Sequence, residues 1–182
     1  MARSMSRRLL VMALLGAALY AVFNVVAFEI QLPYTENVSV RPHYGLLTFF
    51  GFAFGPGVGF AAGFLGNTIG DWITIGEPFG SWHWSVANGL VGVVAGLVGG
   101  WTAWRLMPLR RTASVAAMAS LLATVIGFTF IWIELVIQPE LGADLILTKE
   151  FLPVLLGNGI AGVIVTPILV LAWAPLEPQL LP

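Results

Sequence analysis

Two polar side chains interrupt an apolar stretch of this sequence. Asn67 and Asp71 are four residues apart in the segment GFLGNTIGDWITIG, which is otherwise apolar enough to enter a membrane. Residues four apart lie on the same face of a helix, so the amide and the carboxylate point the same way. An ionisable group is costly inside a bilayer and is by default a candidate for binding or transport. This pair is therefore the first candidate for a functional site.

Aromatic and polar residues extend this chemistry to other apolar runs. A Trp-His-Trp cluster stands at the start of the fourth run, and single polar residues lie near the same end of the fourth, fifth and sixth runs. The residues that we expect to join the site are Trp82, His83, Trp84, Asn88, Glu134 and Asn158. If the outer halves of the helices converge, these side chains line one cavity. A cavity with aromatic walls and a few fixed polar groups suits a flat heterocyclic ligand.

Each of these residues also has an ordinary structural role open to it. Asp71 could be hydrated near the membrane interface, and the tryptophans could form an interfacial belt. Asn88 and Asn158 could hydrogen-bond between helices without touching a ligand. The binding interpretation therefore depends on the clustering of these residues at one end of the bundle.

The sequence lacks the common motifs of enzymes. It has no GxxxxGK[ST] P-loop, no HExxH zinc motif and no GxSxG nucleophile elbow. His83 and the scattered acids lack the spacing of a metal site, and there is no cysteine. We expect no catalytic residue, no metal and no cofactor. Uptake by such a chain would be passive, coupled to an ion or driven by partner subunits.

The composition places these residues in a lipid bilayer. Hydrophobic residues make up 58% of the 182 residues and charged residues only 9%, against about 25% charged in a soluble domain. A net charge of −1 argues against a nucleic-acid partner. We predict an all-α membrane protein in which six transmembrane helices form a single domain over residues 1–182.

Six apolar runs supply the predicted helices. They cover residues 9–28, 43–54, 58–75, 84–104, 114–137 and 151–173. The first run is about 20 residues long and lacks a clear cleavage site, so we interpret it as a retained span and not as a signal peptide. The second run is shorter than a normal crossing and ends at a Gly55-Pro56-Gly57 turn.

Basic residues are distributed unevenly between the two predicted faces. Six arginines fall on one face, whereas only Arg41 and Lys149 fall on the other. The positive-inside rule then predicts that both termini are cytoplasmic. With this orientation, the candidate binding residues lie towards the external face.

Small residues repeat at a spacing of four in several runs. Ala13, Ala17 and Ala21 form such a stripe in the first run, and glycines do so in the third and fourth. Small residues let helix backbones approach closely in lipid. We expect internal packing in the third and fourth runs. For the first run, internal packing and contact with a partner helix are both open.

One long segment resembles a known family of transport proteins. Residues 44–97 are similar to the central block of substrate-binding S-components of energy-coupling factor (ECF) vitamin transporters, and most similar to the family named for riboflavin uptake. The shared order is a tyrosine that opens the second span, an FGP turn, a glycine-rich third span ending in an acid, a glycine-aromatic loop and a glycine-rich fourth span. These features are Tyr44, Phe54-Gly55-Pro56, Gly63 to Asp71, Gly80 to Trp84, and Gly89 to Gly96.

The resemblance implies a function and partners. It implies a six-helix bundle with a substrate pocket in its outer half, and it adds Tyr44 to the binding residues. It implies docking on a transmembrane T-component that carries two ATPase subunits, with Ala13, Ala17 and Ala21 as the docking stripe of the first helix. It places the chain in the plasma membrane of a prokaryote. Riboflavin is the ligand by family default, and a thiamine precursor or another heterocyclic vitamin is the alternative.

Two functions of other classes remain open at this stage. An intramembrane enzyme acting on a lipid would need a catalytic cluster, for which Asp71, His83 and Glu134 are the available set. A channel or a self-sufficient small transporter would move its substrate without an ATPase. Turnover or transport by the purified chain alone would identify either of these.

Overall fold

The structure is a computed structural model that describes residues 2–26, 30–35 and 38–177. Phe28, the predicted end of the first span, lies outside these ranges. The α-helices in chain order are α1 Ala2–Val26, α2 Tyr44–Phe54, α3 Pro56–Ile75, α4 Trp82–Thr102, α5 Leu109–Phe128, α6 Glu134–Ile137, α7 Gly142–Leu145 and α8 Leu152–Trp173. Short 3₁₀ segments at Trp104–Leu106 and Thr129–Ile133 and a π-helical turn at Ile146–Phe151 complete the helical structure.

A two-residue ladder is the β-structure of the described chain. Strand β1, Ile30–Gln31, pairs antiparallel with strand β2, Ser39–Val40, so that Ile30 faces Val40. This hairpin follows α1 and leads into Arg41. It therefore lies at the same end of the bundle as the carboxyl end of α3 and the amino end of α4.

The class of an all-α membrane protein is confirmed, whereas the number of spans is not. Among the described residues, four helical stretches are long and apolar enough to cross a bilayer: 7–26, 82–102, 109–137 and 142–173. Helix α2 has only 11 residues. Helix α3 has 20 residues, but its glycines and the Asn67–Asp71 pair dilute its hydrophobicity.

Glycine geometry sets the two ends of α3. Gly55 has φ of 103°, a backbone conformation that favours glycine, and Pro56 then occupies the first turn of α3, where its missing N–H is tolerated. At the other end Gly76 has φ of 84° and terminates the helix in the left-handed conformation. The FGP motif of the sequence is thus the tight corner between α2 and α3.

Helices α3 and α4 pack with their backbones in contact. A Cβ atom added to Gly59 would collide with the carbonyl of Gly92, and one added to Gly63 would collide with the carbonyl of Asn88. Helix–helix contacts of this closeness require residues without side chains. The glycine spacing in these two helices therefore serves packing within the chain.

The alanine stripe of α1 also packs within the chain. Ala17 and Ala21 are 3% and 4% exposed, and Ala13 is half-buried. A Cβ atom at Gly66 of α3 would lie 3.0 Å from the carbonyl oxygen of Ala17. Ala17 and Ala21, two of the three residues predicted to dock on a partner, are therefore buried within the chain, and Ala17 lies against α3. Their docking role stays a prediction, and the monomer already provides a packing role for them.

Hydroxyl groups join α2, α5 and α8 inside the bundle. The Tyr44 hydroxyl lies 3.0 Å from Thr124 Oγ1, and Thr48 Oγ1 lies 2.5 Å from Thr166 Oγ1. Ser120 Oγ donates to Thr48 Oγ1 at 3.4 Å. All five residues are fully buried, so these bonds satisfy polar groups in an apolar interior.

Candidate functional site

A cavity of about 450 Å³ lies at the end of the bundle where β2, the end of α3, the start of α4 and the start of α8 meet. This volume is within the range of about 300–1,000 Å³ that is usual for small-molecule sites. Seven of the nine predicted binding residues line it: Asn67, Asp71, His83, Trp84, Asn88, Glu134 and Asn158.

Asn67 is the centre of one polar wall. Its Oδ1 accepts from Arg41 Nη1 at 3.2 Å and from Asn88 Nδ2 at 3.4 Å. Its Nδ2 donates to Asp71 Oδ2 at 2.8 Å and to Ser85 Oγ at 3.1 Å. The spacing of four places Asn67 and Asp71 on one face of α3, and the glycine contacts bring that face against α4.

Asn88 connects this wall to helix α1. Its Nδ2 also donates to the carbonyl of Trp84 at 2.9 Å, and its Oδ1 accepts from the Tyr20 hydroxyl at 3.3 Å. Each of these bonds fixes the orientation of the amide. The wall is therefore held in place by helices α1, α3 and α4 together with Arg41.

Glu134 is the centre of the opposite wall. One of its carboxylate oxygens, Oε1, lies 2.5 Å from His83 Nε2 and accepts from Trp84 Nε1 at 3.0 Å. Glu150 also lines the cavity. Glu134 and Glu150 are 1% and 6% exposed, so this wall buries two acidic groups beside one imidazole.

Aromatic rings form the remaining apolar surface of the cavity. The Trp84 and Phe128 rings both line it, with centroids 5.9 Å apart and ring planes inclined by 56°. Their flat faces provide apolar contact for a planar ligand, and the two polar walls provide hydrogen bonds that fix its orientation.

Two of the predicted binding residues do not line this cavity. Tyr44 is fully buried in the core, where its hydroxyl is bonded to Thr124. Trp82 is 37% exposed and packs edge-to-face against His83 and Phe130. The position of Tyr44 at the start of a helix did not reveal the direction of its side chain. Trp82 packs against His83 on the side away from the cavity.

Three residues of the site were missed by the sequence analysis. Arg41 and Glu150 both line the cavity, although the sequence analysis used Arg41 only for orientation and gave Glu150 no role. Ser85 binds Asn67 from the next helix. A signal for Arg41 was available, because an arginine directly before an apolar helix on the arginine-poor side is unusual. Glu150 had no such signal, since it lies in a polar segment.

The described residues contain no group of three or more His, Cys, Asp or Glu side chains arranged to hold a metal ion. The arrangement instead offers hydrogen-bond donors and acceptors around an aromatic surface. This chemistry fits the reversible binding of a small polar heterocycle.

The chain matches a family of transport proteins over almost its whole length. Residues 4–175 match the family described as ECF-type riboflavin transporter, S component. A UPF0397 protein from Streptococcus agalactiae serotype Ia is 29% identical over 168 residues, which cover 91% of this chain and 89% of that protein. No solved structure matches the chain.

Shorter segments match other proteins with higher identity. A UPF0397 protein from Streptococcus gordonii is 40% identical over 84 residues, 46% of this chain and 42% of that protein. One from Onion yellows phytoplasma is 40% identical over 77 residues, 42% of this chain and 40% of that protein. These two matches thus span about two fifths of each relative. The family match over residues 4–175 confirms the resemblance found in the sequence, and the chain belongs to the ECF-type riboflavin transporter S-component family.

Proposed function

We propose that this chain captures a heterocyclic vitamin at the external face of the membrane and releases it to the cytoplasm in a complex with partner subunits. The observation that carries the proposal is the cavity at one end of the bundle. It combines a polar wall around Asn67, an acidic wall around Glu134 and the rings of Trp84 and Phe128. Such a combination of polar walls and aromatic rings suits the binding of a flat polar molecule.

The proposed orientation has six membrane-crossing segments, both termini in the cytoplasm and the cavity outside. Helix α2 is short for a span, but nine of its 11 residues are buried. A helix enclosed by other helices does not need to match the bilayer thickness by itself. The arginine distribution supports cytoplasmic termini. In a prokaryote this membrane would be the plasma membrane.

Riboflavin is the ligand by family default, and a thiamine precursor or another heterocyclic vitamin is the alternative. The proposed partners are a T-component and two ATPase subunits, because the sequence has no nucleotide-binding motif of its own. In this arrangement the chain supplies recognition and the partners supply the energy of ATP hydrolysis.

The intramembrane-enzyme alternative is less well supported by the site geometry. Asp71 belongs to the network of Asn67, whereas His83 is bonded to Glu134 on the other wall. The described bonds thus place Asp71 beside Asn67, and they pair His83 with Glu134. A transporter function also agrees with the family to which the chain belongs.

Calorimetric titration of the purified full chain tests the proposal. We expect sub-micromolar binding of at least one among riboflavin, thiamine and the pyrimidine precursor of thiamine. An uncharged sugar of similar size serves as a control for non-specific binding. If none of these three compounds binds at millimolar concentration, the proposal of vitamin capture is contradicted.

A further inference from the structure

A second cavity lies at the end of the bundle opposite the candidate ligand site, near the start of α1, the end of α4, the start of α5 and the end of α8. Its volume is about 570 Å³, and Leu109 and Leu171 contribute to its apolar lining. The charged residues of its described lining are Arg8, Arg105 and Glu177. Basic pockets between transmembrane helices are typical binding sites for the head groups of anionic lipids.

The positive charge of this second cavity is only partly balanced by the protein. Arg105 is paired with Glu177, at 2.8 Å from its Nε and 2.7 Å from its Nη2, and it also donates to the carbonyl of Ala53 at 2.6 Å. Arg8 is half-buried, and no ion pair or hydrogen bond joins its guanidinium to another residue that the structure describes. Two arginines against one glutamate leave one positive charge, and the geometry assigns it to Arg8.

Hydrogen-bonding capacity points to an anion independently of charge. Trp104 lines the second cavity and is only 2% exposed, yet its Nε1 has no hydrogen-bond partner among the described residues. Its ring is fixed by Phe52, with centroids 5.6 Å apart, and by the Arg105 guanidinium 4.5 Å from the ring centroid. A buried donor without an acceptor is costly, so an oxygen atom that reaches Nε1 would be stabilised there.

The surroundings of the second cavity favour a lipid as the source of this anion. Arg7 precedes Arg8 in the chain, Arg110 and Arg111 follow Leu109, and all three arginines are exposed. In the proposed orientation this end faces the cytoplasmic leaflet, where exposed arginines attract anionic head groups. A soluble anion would use the cations of the cavity but not its apolar lining.

We infer that the second cavity binds the phosphate of an anionic phospholipid, with Arg8 and the Trp104 N–H as donors and an acyl chain against Leu109 and Leu171. Such a lipid would contact α1, α5 and α8 together and stabilise this end of the bundle. The inference uses the proposed orientation of the chain but not the identity of its vitamin.

Native mass spectrometry of the purified full chain, released from a neutral detergent, measures the binding. Phosphatidylglycerol carries a net negative charge, whereas the choline group of phosphatidylcholine cancels the charge of its phosphate. We expect one phosphatidylglycerol per chain, bound roughly tenfold more tightly than phosphatidylcholine. Inorganic phosphate at the same concentration should not displace the bound lipid, because it makes no apolar contact.

Three substitutions connect the lipid to the second cavity. Loss of a charged hydrogen bond corresponds to roughly 10- to 100-fold weaker binding, and we expect a loss of this size for phosphatidylglycerol with Arg8→Gln. Trp104→Phe keeps an aromatic ring beside Phe52 but removes the N–H, and it should weaken binding by roughly 2- to 10-fold. Arg7→Gln removes the same charge from an exposed neighbouring position, and its effect should be smaller than about fivefold.

Equal affinity for the two lipids would overturn the inference. Equal losses in Arg8→Gln and Arg7→Gln would do so as well, since general attraction to the surface would then explain the binding. Displacement of the lipid by inorganic phosphate would identify a site for a soluble anion and overturn the lipid assignment. Thermal melting without lipid verifies that each variant is folded, and the comparison of Arg8→Gln with Arg7→Gln decides the question if Trp104→Phe does not fold. Vitamin binding is measured separately, so failure of this inference leaves the proposed function intact.

Discussion

Asn67 joins three parts of the site, namely its own helix α3, helix α4 and Arg41. It accepts hydrogen bonds from Arg41 and Asn88 and donates to Asp71 and Ser85. A side-chain amide has both donors and acceptors, so it performs a role that a carboxylate, with acceptors only, does not. Asn67 is only 2% exposed, and the network therefore replaces the water that an exposed amide would bind.

Replacement of Asn67 with leucine should weaken ligand binding by about 1–3 kcal/mol, because buried polar partners lose their hydrogen bonds. Isothermal titration with the best-binding vitamin measures this loss. Thr74→Val is a matched control, since Thr74 lies on the same helix and its hydroxyl donates to the carbonyl of Gly70 in its own turn. Equal affinity of Asn67→Leu and the parent protein would remove Asn67 from the ligand site.

The sequence predicted which residues line the cavity better than it predicted their hydrogen-bond partners. Asn67, Asp71 and Glu134 were identifiable because polar residues are rare in apolar runs. The contact of His83 with Glu134 was not predictable, since it joins residues 51 positions apart. The family resemblance did not predict the direction of the Tyr44 side chain. It points into the core, where its hydroxyl is bonded to the buried Thr124.

At the scale of elements, the bundle is organised by backbone contacts at small residues. Gly59 and Gly63 face α4, whereas Gly66 and Gly70 face α1, because the two pairs lie on different sides of α3. The spacing in the sequence predicted that these glycines form contact faces. It did not indicate which neighbour each face contacts, since that depends on how the chain connections fold the helices together.

Two glycine substitutions in α3 should differ in their effect on the free energy of unfolding. In Gly59→Ala the new methyl group collides with the backbone of Gly92, and overpacking of this kind typically costs about 1–3 kcal/mol. In Gly57→Ala the methyl group meets no atom within 4 Å, and the change should be neutral or stabilising by about 0.5–1 kcal/mol. Thermal unfolding in detergent measures both. A Gly59→Ala protein as stable as the parent would contradict the close α3–α4 contact.

The alanine stripe of α1 permits a test that separates packing from docking. Ala17 is buried against α3, whereas Ala18 is exposed on the other side of the same helix. If packing dominates, Ala17→Leu lowers the unfolding temperature of the isolated chain and Ala18→Leu does not. Pull-down of the T-component with both variants measures docking separately. Loss of docking in a stably folded Ala17→Leu protein would instead support the partner role implied by the resemblance.

At the scale of the whole molecule, the described helices present an apolar outer surface. The outer surface of α1 presents Leu10, Leu14 and Val22, and α8 presents Leu156 and Ile160 in the same way. At the end opposite the cavity, Arg105 forms a two-pronged contact with Glu177 at 2.8 and 2.7 Å. The composition alone predicted this membrane body. The number of spans was harder to predict, because α2 is too short and α3 too polar for hydropathy to identify them securely.

Uptake should depend on partner subunits, because the chain has a binding cavity but no nucleotide-binding motif of its own. Vesicles containing this chain alone should bind external vitamin but accumulate none, because the sequence has no P-loop with which to use ATP. Vesicles that also contain a T-component and two ATPases should accumulate the vitamin when ATP is enclosed, and a non-hydrolysable ATP analogue should abolish accumulation. Radiolabelled vitamin measures both binding and uptake in the same preparation. Accumulation by the chain alone would show a self-sufficient transporter, and the cavity would then have to open to both sides without ATP-driven partners.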